Sequence, residues 1–281
     1  MASASATTSP DESASHASPS GSTTPSRLTA RFRALAAEGR KALVCYITAG
    51  HPDPVSCVAL LRGLADAGAD VIEIGVPFSD PMADGPVIQH SSQVALEHGI
   101  TLSRTLDLVR EAALDIPVVL FSYLNPILAG GDDVLHRARA AGVDGVLATD
   151  LPVGADPERE AWFGASGLDF VRLVAPTTPA PRMEEIGRHG GGFVYLISRL
   201  GVTGERDALP DDLPETVQRL RSATSLPICI GFGISTPAHA KAAAALADGV
   251  VVGSALVRAA GRSVDDAIAL TRSLRAALDE R

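Results

Sequence analysis

Residues 71–89 read VIEIGVPFSDPMADGPVIQ. The segment opens as a β-strand, because Val71, Ile72 and Ile74 are β-branched and Gly75 and Pro77 bound the run. Along a strand, Val71, Glu73 and Gly75 share one face, and Ile72 and Ile74 the other. Glu73 is therefore a carboxylate set in an apolar strand, where an unpaired charge is costly. The segment closes as a loop pinned by Pro77, Pro81 and Pro86, with Asp84 eleven residues after Glu73. One carboxylate pressed by apolar neighbours and one on a polar loop can supply an acid and a base at the same pH. Two structural accounts compete. Glu73 could sit in a buried ion pair, with Arg199 as partner. Asp84, followed by Gly and Pro, could merely cap its own backbone in a turn.

Outward from this stretch the chain alternates helix and strand. Upstream, residues 28–38 read as a short helix with Leu28, Phe32, Leu35 and Ala36 on one face. Residues 42–48 form a strand, and Asp53 and Pro54 open a helix as cap and first residue. Val55, Val58 and Leu61 are expected on its inner face, and Gly68 ends it. Downstream come helices at 92–98 and from Thr101. Strand–helix pairs then follow at 118–123 and 132–141, 145–149 and 157–165, 170–174 and 180–189. Three more follow at 193–198 and 214–221, 227–231 and 237–247, 250–253 and 263–278. Eight strand–helix units in about 250 residues give the rhythm of a single (β/α)8 TIM barrel. The competing doubly wound sheet usually has fewer strands, and no dinucleotide glycine fingerprint is present. The expected organisation is a catalytic barrel over residues 27–281, opened by an N-terminal helix and preceded by a tail over residues 1–26.

Half of that tail is Ser or Thr, and no Leu, Ile, Val or Phe precedes Leu28. It cannot bury enough to offset ordering, so disorder is expected. It lacks the apolar centre of a secretory signal and the basic charge of a transit peptide. The formal net charge of -9 argues against nucleic acid and against an anionic membrane surface. No apolar run reaches the length of a membrane span. Cys45, Cys57 and Cys229 show no metal or redox spacing, and the expectation is free thiols in a cytoplasmic protein. His51 and His90 lie on loops without metal-ligand spacing, so no metal site is expected.

In a barrel the chemistry gathers at the C-terminal ends of the strands. Glu73 and Asp84 lie there. So do the glycines of 231–235, GFGIS, and Gly253-Ser254 at the start of a helical turn. Loops after the last two strands, with a helix N-terminus, form the recurring phosphate site of such barrels. Gly233, Gly253 and Ser254 are its candidates, and Gly201–Gly204 could add amides as a lid. Glycines that merely end strands are the competing account. Tyr46, Phe121, Tyr123, Leu147, Tyr195 and Phe232 lie near strand ends, and clustered there they suggest a flat aromatic ligand. For Phe121 and Leu147 ordinary core packing competes. Neither lysine, Lys41 or Lys241, follows a barrel strand, which disfavours a Schiff-base aldolase.

The run E-I-G, then PFSDP, then ADGP resembles the signature of the tryptophan synthase alpha chain family, and the resemblance extends from about Leu28 to the C-terminus. It implies retro-aldol cleavage of indole-3-glycerol phosphate to indole and glyceraldehyde 3-phosphate. It implies Glu73 as acid and base, and Asp84 as the ionised partner of the ring N–H. Gly204, Gly233, Gly253 and Ser254 would hold the phosphate. Tyr123 and Tyr195 match active-site tyrosines, and Thr203 a lid residue that meets Asp84 on closure. It further implies a beta chain as partner in an alpha2-beta2 heterotetramer, contacted through loops 77–84 and 198–209. Pyridoxal phosphate would reside in that beta chain, and no cofactor in this one. Val153-Gly154-Ala155 and Leu200 depart from the usual pattern near mobile loops, which bears on partner coupling more than on catalysis. A stand-alone lyase and a non-catalytic barrel that activates a beta chain are the alternatives. Other phosphate-gripping barrels, such as an isomerase or indole-glycerol-phosphate synthase, are more distant. The synthase typically relies on a strand-end lysine.

Overall fold

The computed structural model describes residues 25–197, 210–231 and 233–280. Residues 1–24, residues 198–209 with Arg199, Thr203 and Gly204, Phe232 and Arg281 lie outside the described residues. Among the described residues, nine strand segments run parallel in the order β5-β4-β3-β2-β1-β9-β8-β7-β6. They are β1 (Ala42–Thr48), β2 (Val71–Gly75), β3 (Val118–Ser122), β4 (Gly145–Ala148), β5 (Asp169–Phe170), β6 (Arg172–Val174), β7 (Val194–Ile197), β8 (Ile228–Gly231) and β9 (Gly249–Val252). β5 pairs with β4 and β6 with β7. The two are one strand position interrupted at Val171, whose amide still donates to the Val146 carbonyl at 2.9 Å. The ring therefore closes as the eight-position barrel expected from the sequence.

The period of two sorts the strand residues as the sequence implies. Val71 faces a core inside the barrel with Val44, Val119, Leu147, Phe193, Tyr195 and Cys229. Ile72 and Ile74 face the larger core between sheet and helices. Helix α1 (Arg27–Ala37) stoppers the bottom of the barrel with Leu28, Phe32 and Leu35. Phe32 and Phe193 meet there at 5.3 Å between ring centroids.

The same bottom end carries a device that recurs around the ring. An aspartate one residue before a strand accepts the amide at the start of a neighbouring strand. Asp70 takes Leu43 N–H at 2.8 Å, Asp144 takes Val118 N–H at 2.9 Å, and Asp248 takes Ile228 N–H at 2.8 Å. Asp70 is fully buried and also pairs with Arg31 and, at 3.0 Å, with Arg275.

Several local expectations change. Val55 stands at the solvent face of α2 (Pro54–Asp66), 84% exposed, and the buried residues are Cys57, Leu60, Leu61 and Leu64. The first turn of a helix opened by Pro projects past the sheet, so the inner face begins one turn later. Helix α3 (Pro86–Glu97) starts six residues before the expected 92, with Pro86 in its first turn. After α4 (Leu102–Ala112) and β3 comes an unexpected six-residue helix, α5 (Leu124–Ala129). The Asp150 carboxylate accepts its Leu124 amide at 2.7 Å. The rest of the outer layer is α6 (Val134–Ala140), α7 (Pro157–Ala165), α8 (Ala180–Arg188), α9 (Leu213–Ala223), α10 (Pro237–Ala244), α11 (Ser254–Arg262) and α12 (Val264–Asp279).

Candidate active site

Glu73 sits on the inner face of β2, in register with Tyr46 on β1 and Val119 on β3. Its side chain is fully buried, and neither carboxyl oxygen has a hydrogen-bond partner among the described residues. Burial alone pushes its pKa up to about 8, because the charged form gives up water and gains nothing in return. At neutral pH Glu73 is therefore mostly a neutral acid.

Asp84 lies on the loop between β2 and α3, as expected, and it is only 9% exposed there, since that loop folds back over the barrel mouth. Tyr123 holds it there. The Ala83 amide donates to the Tyr123 phenol at 2.9 Å, and that phenol donates to Asp84 Oδ2 at 3.1 Å. Phe78 leans on the Tyr123 ring at 5.0 Å. Burial raises the Asp84 pKa to about 6, and the Tyr123 hydrogen bond pulls the other way. Burial of different depth thus sets the two carboxylates on either side of neutrality. This is the arrangement by which one site holds an acid and a base together.

The apolar wall is assembled from adjacent strands. Phe121 is in register with Gly75 and Leu147, and Tyr195 with Leu173 and Cys229. Tyr46 and Phe121 meet edge to face at 5.2 Å. Tyr46 and Tyr195 each reach over a glycine two residues farther up a neighbouring strand. A methyl group on Gly75 would overlap the Tyr46 phenol oxygen, and one on Gly231 the Tyr195 phenol. The structure also brings in residues that local reading did not single out. Ile88 and Val257 pack on Tyr46, and Leu173 packs on the inner core. Ile88 could have been found from Pro86, which signals a helix start two residues earlier.

At the same end, α11 begins with Gly253 as its N-cap and no side chain bonded to its first amides. Gly253 lies beside Tyr46, so that a methyl group on it would stand 3.6 Å from the ring. A helix N-terminus with unoccupied N–H groups favours an anion, and Ser254 can add a hydroxyl. Gly233 stands half-buried with φ +85°. Among the described residues, no group of three or more His, Cys, Asp or Glu is placed to hold a metal ion. No helix among them is long and apolar enough to cross a membrane.

The profile of the family described as tryptophan synthase alpha chain matches residues 32–280. The tryptophan synthase alpha chain of Desulfatibacillum aliphaticivorans is 48% identical over 230 residues, covering 81% of this chain and 87% of that one. A structure of Mycobacterium tuberculosis tryptophan synthase superposes with a TM-score of 0.85 at 35% identity, over 92% of this chain and all of that one. Tryptophan synthase subunit alpha of Legionella pneumophila gives 0.83 at 36% identity, over 91% and 99%. A parallel barrel with two split carboxylates and a helix N-terminus at its mouth, matched along nearly its whole length, belongs to the tryptophan synthase alpha chain family.

Proposed function

We propose that the barrel over residues 27–281 cleaves indole-3-glycerol phosphate to indole and glyceraldehyde 3-phosphate. The observation that carries this reading is the pair of carboxylates, a neutral Glu73 inside the barrel and a more acidic Asp84 at its mouth. Glu73 gives its proton to the ring carbon that bears the side chain, and the ring becomes a cationic indolenine. Asp84, ionised, accepts the ring N–H and stabilises that cation. The Glu73 carboxylate then takes the proton of the neighbouring side-chain hydroxyl. The oxygen electrons form the aldehyde C=O, the carbon–carbon bond breaks, and its electron pair restores the aromatic indole. Glu73 ends protonated, as it began.

Tyr46, Phe121, Tyr123, Leu147, Tyr195 and Phe232 would enclose the indole. Gly204, Gly233, Gly253 and Ser254 would hold the phosphate through amides and one hydroxyl, with Thr203 closing on Asp84. None of these steps calls on a cofactor in this chain. The chain would act in the cytoplasm with a beta chain that carries pyridoxal phosphate, as an alpha2-beta2 assembly docked through loops 77–84 and 198–209. Support for that face comes from Met82, an apolar side chain 85% exposed in the first of these loops, and from Leu128 on α5, also exposed. Exposed apolar groups near one rim suit a partner surface.

The test is indole release from indole-3-glycerol phosphate by the purified chain, alone and then with a cognate beta chain. Slow release that rises steeply on adding the partner is the expected result. Fast release unchanged by the partner would mean a free-standing lyase, and no release in either case would refute the chemistry.

A further inference from the structure

The reaction asks Glu73 to be an anion for part of each turnover, between giving one proton and taking the next. Yet the buried carboxyl has no hydrogen-bond donor in its resting position among the described residues, and an unpaired buried carboxylate is costly. Its surroundings narrow the choice of donor. Most of the inner core is apolar: Val44, Val71, Val119 and Leu147. The titratable groups whose charge couples to Glu73 are Tyr46 on β1, Tyr195 on β7 and Cys229 on β8, with Cys45 behind β1. Asp84 closes the mouth above. Asp84 accepts and does not donate when ionised, and a thiol is a weak donor.

Tyr46 is the register neighbour of Glu73 on the adjacent strand. Its phenol reaches over Gly75, into space that a methyl group there would fill. Gly75 is two residues, about 7 Å, above Glu73 on the same face, so a glutamate side chain extended toward the mouth approaches that phenol. Burial and the neighbouring carboxylates hold the phenol in its protonated, donating form.

We infer that the Tyr46 phenol is the donor that receives the Glu73 carboxylate while the catalytic proton resides on the substrate. Tyr46 is thus a positioning residue, acting through Glu73, in addition to walling the pocket. The inference rests on the reaction proposed above.

Tyr46→Phe keeps the ring and removes only the donor. Two measurements test it on the full chain, with the beta chain present for turnover. In the first, kcat for indole release is followed against pH. The variant is expected to lose about tenfold in kcat with KM changed little, and its basic limb moves up by roughly one pH unit. In the second, 13C NMR of labelled glutamate follows Glu73 without substrate, identified by its absence in Glu73→Gln. Its titration is expected to move up in the same direction. A variant whose Glu73 titrates as in the parent chain would overturn the inference and leave Tyr46 as packing alone. A parent chain that releases no indole would instead overturn the reaction, while the NMR titration would still decide the pairing.

Discussion

Glu73→Gln is expected to give a chain that is nearly inactive and yet more stable than the parent at neutral and alkaline pH. The gain follows from linkage. Folding raises the Glu73 pKa from the ordinary 4.5 to about 8, so between those values the folded chain binds more protons than the unfolded one. Stability therefore falls as pH rises through that window, by about 1.4 kcal/mol per unit and roughly 3 kcal/mol by pH 7. Glutamine keeps the shape and does not titrate. Its buried amide carries a desolvation cost of its own, as the neutral acid does, so the two chains should be similar near pH 4 and diverge above it. Denaturant midpoints at pH 5 and pH 8 measure this. Parallel pH dependence of the two chains would mean that Glu73 is not held as a buried, unpartnered carboxyl. Turnover should fall by about 10²–10⁴, the usual contribution of an acid–base group. Near-normal rates would remove Glu73 from the mechanism.

The second large effect lies at the opposite end of the barrel. Asp70→Ala is expected to destabilise the chain by about 3–5 kcal/mol, because it removes the buried partner of Arg275, which keeps only the half-exposed Asp279, and strips the partly exposed Arg31 and the Leu43 amide of their acceptor. Arg275 is 9% exposed and Asp70 not at all. The internal comparison is Asp248→Ala. Asp248 accepts a strand amide in the same way and pairs with Arg221, but its side chain is 35% exposed. That substitution should cost about 1 kcal/mol. Equal losses for the two would show that the strand-amide contact matters and the buried ion network does not. Neither change should alter kcat of the folded fraction, since both aspartates lie at the bottom of the barrel.

What is legible in the sequence, and what is not, follows the range of the interactions involved. The strand carrying Glu73 is readable because alternation, β-branching and the Gly75 and Pro77 stops all act within a few residues. The barrel follows because the same grammar repeats. On the inner face of α2, Leu61 and Val58 pack on the core as expected and only Val55 is misassigned, because this first apolar residue after the cap belongs to a turn that faces solvent. The burial of Asp84 leaves no local trace, since Tyr123, which fixes it, is 39 positions away. Asp70 looks like the polar residue after a helix stop at Gly68, while its partner Arg275 lies 205 positions on. The pocket aromatics are individually ambiguous in the sequence, and only strand register brings Tyr46 beside Glu73 and Phe121 beside Gly75.

The most direct test of the divided carboxylates is the pH dependence of kcat/KM for indole release by the assembled enzyme. A bell is expected, with its acid limb near 6 from Asp84 and its basic limb near 8 from Glu73. The basic limb is diagnostic, because a substrate phosphate also titrates at about 6. Activity that holds to pH 7 and declines through 8 would support a neutral Glu73 as the resting acid. Activity that stays level to pH 10, or that is already declining from pH 5 upward, would contradict it.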